Sequence, residues 1–186
     1  MFLEPYLIEH CSPTLAALKT ANLFSCKIES AEALQASLAL WNAMLAEKGI
    51  ELILLKQERR MALIYVCRKA KLAEDLAQAG VAEFLQQYGY RQTDVSYAIQ
   101  KLQQRLATSP EFPHEIGLFL DYPLGDVRGF IENAGANCKC TGCWKVYCNV
   151  CDTAKRFCKF EKCREVYMRL WKSGVRDVMQ MTVPTA

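Results

Sequence analysis

The chain has 186 residues, 52% of them hydrophobic and 23% charged, with a formal net charge of +3. That length fits one compact domain, or a domain with a small appendix, and the composition excludes wholesale disorder. No apolar run reaches the roughly 18 residues that a membrane span needs, so a membrane-spanning helix is excluded and no membrane partner is expected.

The opening Met1-Phe2-Leu3-Glu4-Pro5-Tyr6 lacks the basic start of a signal peptide, and Glu4, Pro5 and Glu9 interrupt its apolar residues. The expected compartment is therefore the cytoplasm, where thiols stay reduced. Ser12-Pro13 reads as a cap followed by a first helical residue, predicting a short helix over 14–18. Ser30 caps a longer helix, whose Ala33, Leu34, Leu38, Trp41 and Leu45 recur at helical spacing until Lys48-Gly49. Two apolar runs, 50–55 and 61–66, flank the charged stretch 56–60 and predict a β-hairpin. Helices are expected at about 71–79, 81–88 and 93–107.

Ser109-Pro110-Glu111-Phe112-Pro113 is the clearest break. Short helices at 114–120 and 124–133 follow, then a strand at 144–147 and a long helix at about 152–172. The elements add up to an α+β fold: a helix-rich single domain with a small antiparallel sheet and a Cys-rich C-terminal segment. Residues 1–108 are expected to form the α+β body, and 109–186 a helical, Cys-rich part packed on it as one compact unit.

Ten cysteines are the abnormal count, and seven of them fall between Cys138 and Cys163. In a reduced compartment, such a cluster points to a metal or to redox-active dithiols rather than to disulfides. Two C-x-x-C units, Cys140/Cys143 and Cys148/Cys151, could each present two sulfurs to one ion. If 144–147 is a strand, however, it holds the two units about 13 Å apart at ~3.3 Å per residue, too far for one zinc. Cys143-x4-Cys148-x2-Cys151 also has the spacing of plant-type [2Fe–2S] ferredoxins, with Cys163 or Cys158 as fourth ligand. Cys158 and Cys163 lie about 140° apart on a helix and do not naturally share an ion. Packing alone remains the third reading of these thiols.

Three stretches resemble a known family together: residues 10–24 (His10-Cys11-Ser12-Pro13 to Leu23-Phe24), 112–131 (Phe112-Pro113-His114-Glu115 to Phe130-Ile131) and 142–147 (Gly142-Cys143-Trp144-Lys145-Val146-Tyr147). The chain resembles, over nearly its whole length, the bacterial Domain of Unknown Function 3793. The resemblance implies no established activity, fold or cofactor; it implies an anaerobic cytoplasm, a setting in which Fe–S clusters and exposed thiols survive. The family pattern commonly continues after Tyr147 with Gly-Asp, where this chain has Cys148-Asn149. Cys140, Cys143 and Cys163 fit the pattern better than the ferredoxin-like triplet does. Ala17 stands where Gly is usual.

Other candidates are more scattered. Cys11, read as lying just before a helix N-terminus, is a candidate nucleophile, with Lys19 and Asn22 one or two turns beyond as cofactor-binding residues. His114 and Glu115 open a short helix after Pro113. With Cys11, and with Glu115 or Asp126 as orienter, His114 would make a thiol enzyme. His114 could instead join the metal ligands. Cys26 and Cys67 look structural. Gly125-x3-Gly129 lacks the Gly-Lys-Ser/Thr ending of a phosphate loop.

Charge divides unevenly. Residues 1–137 carry 13 Lys and Arg against 16 Asp and Glu, a net of −3, and residues 138–186 carry 10 against 4, a net of +6. A basic end suits an anionic partner, or simply offsets thiolates beside it.

The leading expectation is a Cys-rich protein binding zinc or an Fe–S cluster and acting in metal or redox handling, with a redox or metal-handling protein as partner. Cys140, Cys143 and Cys163 would be ligands, completed by Cys138, Cys148, Cys151 or His114. The alternatives are a thiol enzyme using Cys11 with His114, and a module docking a basic C-terminal helix on an acidic partner or nucleic acid. Nucleic acid is disfavoured, because no recognisable motif accompanies Arg59-Arg60 and the body is slightly acidic.

Overall fold

The computed structural model describes residues 2–184 and resolves two compact units. Unit 1 comprises the described residues up to Leu72 and those from Cys163 onward, and unit 2 spans Ala73–Lys162. The Ser109–Pro113 break lies inside unit 2. The fold class is α+β and helix-rich, with a small antiparallel sheet, as the sequence predicts.

Unit 1 contains α1 (Glu4–Leu15), β1 (Ala21–Lys27), α2 (Ala31–Leu45), β2 (Ile50–Glu58) and β3 (Met61–Arg68). The strands form an antiparallel sheet in the order β1-β3-β2. The hairpin β2–β3 is the one the apolar runs predict, and Ser30 caps α2 as expected, accepting from Ala33 N at 3.1 Å. α1 differs: it begins at Glu4, and Pro13 sits in its last turn instead of its first. Leu3, Leu7, Ile8, Cys11 and Leu15 make one fully buried helical stripe, which outweighs the local Ser-Pro signal. That stripe meets the α2 residues Leu34, Leu38, Trp41 and Leu45 and the sheet residues Phe24, Leu52, Ile64 and Val66 in one core. On the edge strand β2, Asn42 occupies both polar groups of Leu52, donating to its carbonyl at 3.0 Å and accepting from its amide at 2.7 Å.

Arg68 ends β3 fully buried, with its guanidinium among backbone carbonyls. Its guanidinium donates to Thr14 O (2.8 Å), Leu15 O (2.9 Å), Lys48 O (3.0 Å) and Val183 O (2.6 Å). Two of these carbonyls belong to the last turn of α1, where Thr14 O also accepts from Ala17 N and Leu15 O from Val183 N. α1 closes with paired bonds, Leu18 N to Pro13 O at 2.9 Å and Ala17 N to Thr14 O at 3.1 Å. This cap needs a left-handed residue, and Ala17 takes φ +58° there. A left-handed position of this kind favours Gly, which carries no Cβ penalty there.

α3 (Lys69–Leu76) straddles the division between the units. Unit 2 continues with α4 (Val81–Gln86), α5 (Val95–Thr108), α6 (Ile116–Phe119), α7 (Leu124–Glu132), the two-residue strands β4 (Cys140–Thr141) and β5 (Lys145–Val146), and the start of α8 (Val150–Lys172). From Cys163 on, α8 belongs to unit 1, as does α9 (Val178–Met181). β1, β4 and α9 are elements that the sequence pattern does not predict.

Two stability outcomes follow from unit 1. Ala17→Gly relieves a left-handed alanine worth about 1 kcal/mol and is expected to raise Tm by about 2–4 °C in calorimetry. Arg68→Met removes the guanidinium's bonds to four backbone carbonyls and is expected to cost about 3 kcal/mol or more in urea unfolding.

Candidate thiol site

The Cys-rich segment of unit 2 is a tight hairpin seated on α7. β4 and β5 pair antiparallel, Cys140 opposite Val146 and Thr141 opposite Lys145, and Gly142 N donates to Trp144 O at 3.1 Å across the turn. Asp126 anchors the returning strand. Its buried carboxylate accepts from Trp144 Nε1 (2.8 Å), Tyr147 N (2.8 Å), Cys148 N (2.9 Å) and the Cys148 thiol (3.1 Å). Burial alone would raise the pKa of Asp126, but these donors outweigh it and hold the carboxyl below its usual value.

Close packing completes the seat. A Cβ on Gly129 would lie 2.4 Å from the Tyr147 ring, and one on Gly142 would lie 2.2 Å from the Phe157 ring. Trp144 stacks on Tyr122 at 4.5 Å and meets the edge of Phe157 at 4.5 Å, with the Arg156 guanidinium 5.3 Å from its ring. Arg156 is itself held by Asp121 Oδ2 at 2.6 Å.

This frame sets the exposure of each thiol. Cys143, in the turn, is exposed, while Cys138, Cys140 and Cys148 are partly buried. Cys140 packs against the Trp144, Val146 and Phe160 cluster, and the Cys138 sulfur lies 3.4 Å from Thr141 Oγ1. Burial and then the Cys143 side chain push the Tyr122 hydroxyl up to about 12. Burial first, and then the Asp126 carboxylate, push the Cys148 thiol up to about 11. Cys148 is thus a hydrogen-bond donor within the frame. Cys151 and Cys158 are exposed on α8, and no disulfide is formed.

Among the described residues, no three His, Cys, Asp or Glu side chains converge into a group that could hold a metal ion. The expected ligand set of Cys140, Cys143 and Cys163, with Cys138, Cys148, Cys151 or His114, is therefore not assembled. Cys163 belongs to unit 1, where burial pushes its thiol up to about 11.

The remaining candidates have other places. Cys11 does not precede a helix N-terminus; it lies inside α1, fully buried, and burial raises its thiol far above the ordinary value despite the charge of Lys19. The grounds for an activated nucleophile are gone. Lys19 is buried and donates to Ala21 O at 2.5 Å, and Asn22 Oδ1 accepts from Thr14 Oγ1 at 2.7 Å, so both brace the loop after α1. His114 belongs to unit 2 and Cys11 to unit 1. His114 is exposed, its ring 4.9 Å from that of Phe130. Glu115 is 1% exposed; Arg105 Nε donates to it in an ion pair and Tyr90 OH donates at 3.3 Å. Asp126, considered as an orienter of His114, instead holds the hairpin. The acid bracketed by Gly125 and Gly129 was the legible signal for that role.

The fold and site define a helix-rich α+β protein with an anchored, thiol-bearing hairpin. The chain matches the family described as Protein of unknown function (DUF3793) over residues 7–181 and belongs to it. No curated protein and no solved structure matches it. Among the described residues, no helix is long and apolar enough to cross a membrane.

Removing the anchor gives two checks. Asp126→Ala strands three N–H donors and is expected to destabilise unit 2 by about 3 kcal/mol, with a red shift in Trp144 fluorescence. Gly129→Ala drives a methyl into Tyr147, at about 1–3 kcal/mol. Since the folded pKa of Asp126 is depressed, its stabilisation is present above the unfolded carboxylate value of about 4 and is lost as pH falls through the lower folded one. In Asp126→Asn that acid-dependent part disappears from a pH series of unfolding curves.

Proposed function

We propose that this protein acts in metal or redox handling through the hairpin dithiol Cys140/Cys143, in a cytoplasmic setting where thiols stay reduced. One observation carries the reading: a hairpin fixed by Asp126 holds an exposed Cys143 three residues from Cys140, and neither is in a disulfide. Fixing the backbone while leaving sulfur accessible is what thiol chemistry needs.

In the redox form of this activity, the Cys143 thiolate attacks a disulfide of a partner protein and displaces one partner thiolate. The Cys140 thiolate then attacks Cys143 in that mixed disulfide, releasing the second partner thiolate. The hairpin is oxidised by two electrons and the partner disulfide is reduced by two. In the metal form, the same two thiolates hold a soft ion. Zinc or an Fe–S cluster, the cofactors expected from the sequence, would draw its further donors from the partner. The exposed cations Lys155, Lys159 and Lys162 on α8 suit an acidic partner for either form.

The experiment is differential labelling of the fully reduced chain with iodoacetamide under argon, followed by equilibration with glutathione buffers and by Zn2+ titration. Cys143 is expected to alkylate first, and Cys140/Cys143 to form the first intramolecular disulfide or to supply the tightest zinc-binding thiols. Cys140→Ser with Cys143→Ser removes that behaviour and leaves the fold intact by circular dichroism. A double variant with unchanged disulfide formation and unchanged zinc affinity would overturn the reading.

A further inference from the structure

A cleft of about 980 Å³ opens in unit 2 along α4, the connection 87–94 and α5, away from the residues of the thiol hairpin. It is lined by Gln86, Gly89, Tyr90, Arg91, Tyr97, Gln100, Lys101 and Gln104. That volume is at the upper end of the range for small-molecule sites, roughly 300–1,000 Å³. We infer that this cleft binds a nucleoside phosphate, with Arg91 and Lys101 taking the phosphates and the glutamine amides taking the sugar and base.

The charge of the lining is one-sided. Two cations border it and no carboxylate does. Two acids lie close by in the chain or beneath the lining, and both are engaged. Asp94 caps α5 by accepting from Tyr97 N at 2.9 Å, and the buried Glu115 pairs with Arg105. Arg91 and Lys101 thus face a cleft whose lining holds no carboxylate, which favours an anion.

Lys101 is also held in place. Gly89 takes φ +81°, and a Cβ built there would lie 3.6 Å from Lys101 Cε and 3.7 Å from Nζ. The Lys101 ammonium lies against this turn, and its Nζ donates to Gln104 Oε1 at 3.3 Å. On the other side, Arg91 N donates to Tyr97 OH at 3.1 Å and fixes the phenol in the wall. The floor is rigid as well: Tyr90 is 2% exposed and its hydroxyl is tied to Glu115.

The rest of the lining selects more than a bare anion. Gln86, Gln100 and Gln104 each offer a donor and an acceptor, which suits ribose hydroxyls and base edges. The Tyr97 ring adds a flat apolar surface. A second hollow of about 190 Å³ shares Gln86, Tyr90 and Arg91 and extends the site past the arginine. A mononucleotide with a chain of phosphates fits this combination of length and polarity.

The test is isothermal titration of the full reduced chain with ATP, AMP, adenosine and inorganic pyrophosphate. ATP is expected to bind one saturable site more tightly than AMP or pyrophosphate, with adenosine the weakest. Arg91→Gln and Lys101→Gln should each weaken ATP about tenfold or more while leaving the ligand-free Tm unchanged. Lys159→Gln, on α8, should leave the affinity as it was. Four results overturn the assignment: no saturable binding at millimolar ATP, an equal loss in the Lys159 variant, pyrophosphate binding as tightly as ATP, or a single-stranded RNA oligomer binding more tightly than ATP. Because no thiol takes part, Cys140→Ser with Cys143→Ser should bind ATP normally, and failure of either proposal stays distinguishable from failure of the other.

Discussion

The thiol-bearing end of unit 2 hangs on one carboxylate. Asp126 meets four donors from the returning arm of the hairpin, two of them backbone amides that a two-residue strand leaves unpaired. A hairpin this short has too few ladder bonds to hold its own geometry. Tied to α7 by a charged acceptor, with Tyr147 pressed onto Gly129 and Phe157 onto Gly142, it becomes a defined element. The sulfurs inherit their exposure from that frame. Cys148 is drawn into it as a donor, and Cys143 is left in the turn outside.

Unit 1 uses the same device with the sign reversed. Arg68 is a buried cation that donates to carbonyls of different segments: the last turn of α1, the turn before β2 and the chain beyond α9. In both units a buried charge gathers backbone polar groups from segments that lie apart in the chain. Charged hydrogen bonds are worth roughly twice neutral ones, so a single side chain can satisfy several groups at once. The Glu115–Arg105–Tyr90 cluster differs in joining side chains, and it stiffens the wall beside the cleft instead of closing a helix end.

Such devices explain what the sequence could and could not disclose. Apolar runs and helical spacing made α2, the β2–β3 hairpin and α8 legible, and the break at Gly89-Tyr90 marked off α5. α1 was misplaced because a local Ser-Pro pair was weighed above the longer stripe from Leu3 to Leu15. β1 was missed because its pattern is broken by Asn22 and Ser25, and only pairing with β3 makes it a strand. Asp126 was noticed, but for the wrong task, since its partners are amides 21 and 22 residues away. Arg68 reaches residues up to 115 positions distant, and no local signal could announce that. The cleft walls carry ordinary Gln, Tyr and Lys residues that only the fold brings together.

The cysteines illustrate the same limit most sharply. Counting them suggested a site, and spacing suggested several incompatible ones, because seven thiols within 26 residues satisfy many templates. Burial separates them on physical grounds. Cys11, Cys26 and Cys67 are buried small residues whose thiols are raised by desolvation, so the charged form needed for attack or ligation is suppressed. Cys148 serves as a donor to Asp126, and losing that proton would set two negative charges against each other. Cys163 is half-buried in unit 1 and raised in the same way. What is left is a group of accessible sulfurs on the hairpin and on the first half of α8. Of these, Cys140 and Cys143 lie three residues apart on a hairpin whose backbone is fixed from outside. Preorganisation, not thiol number, is what sets that pair apart.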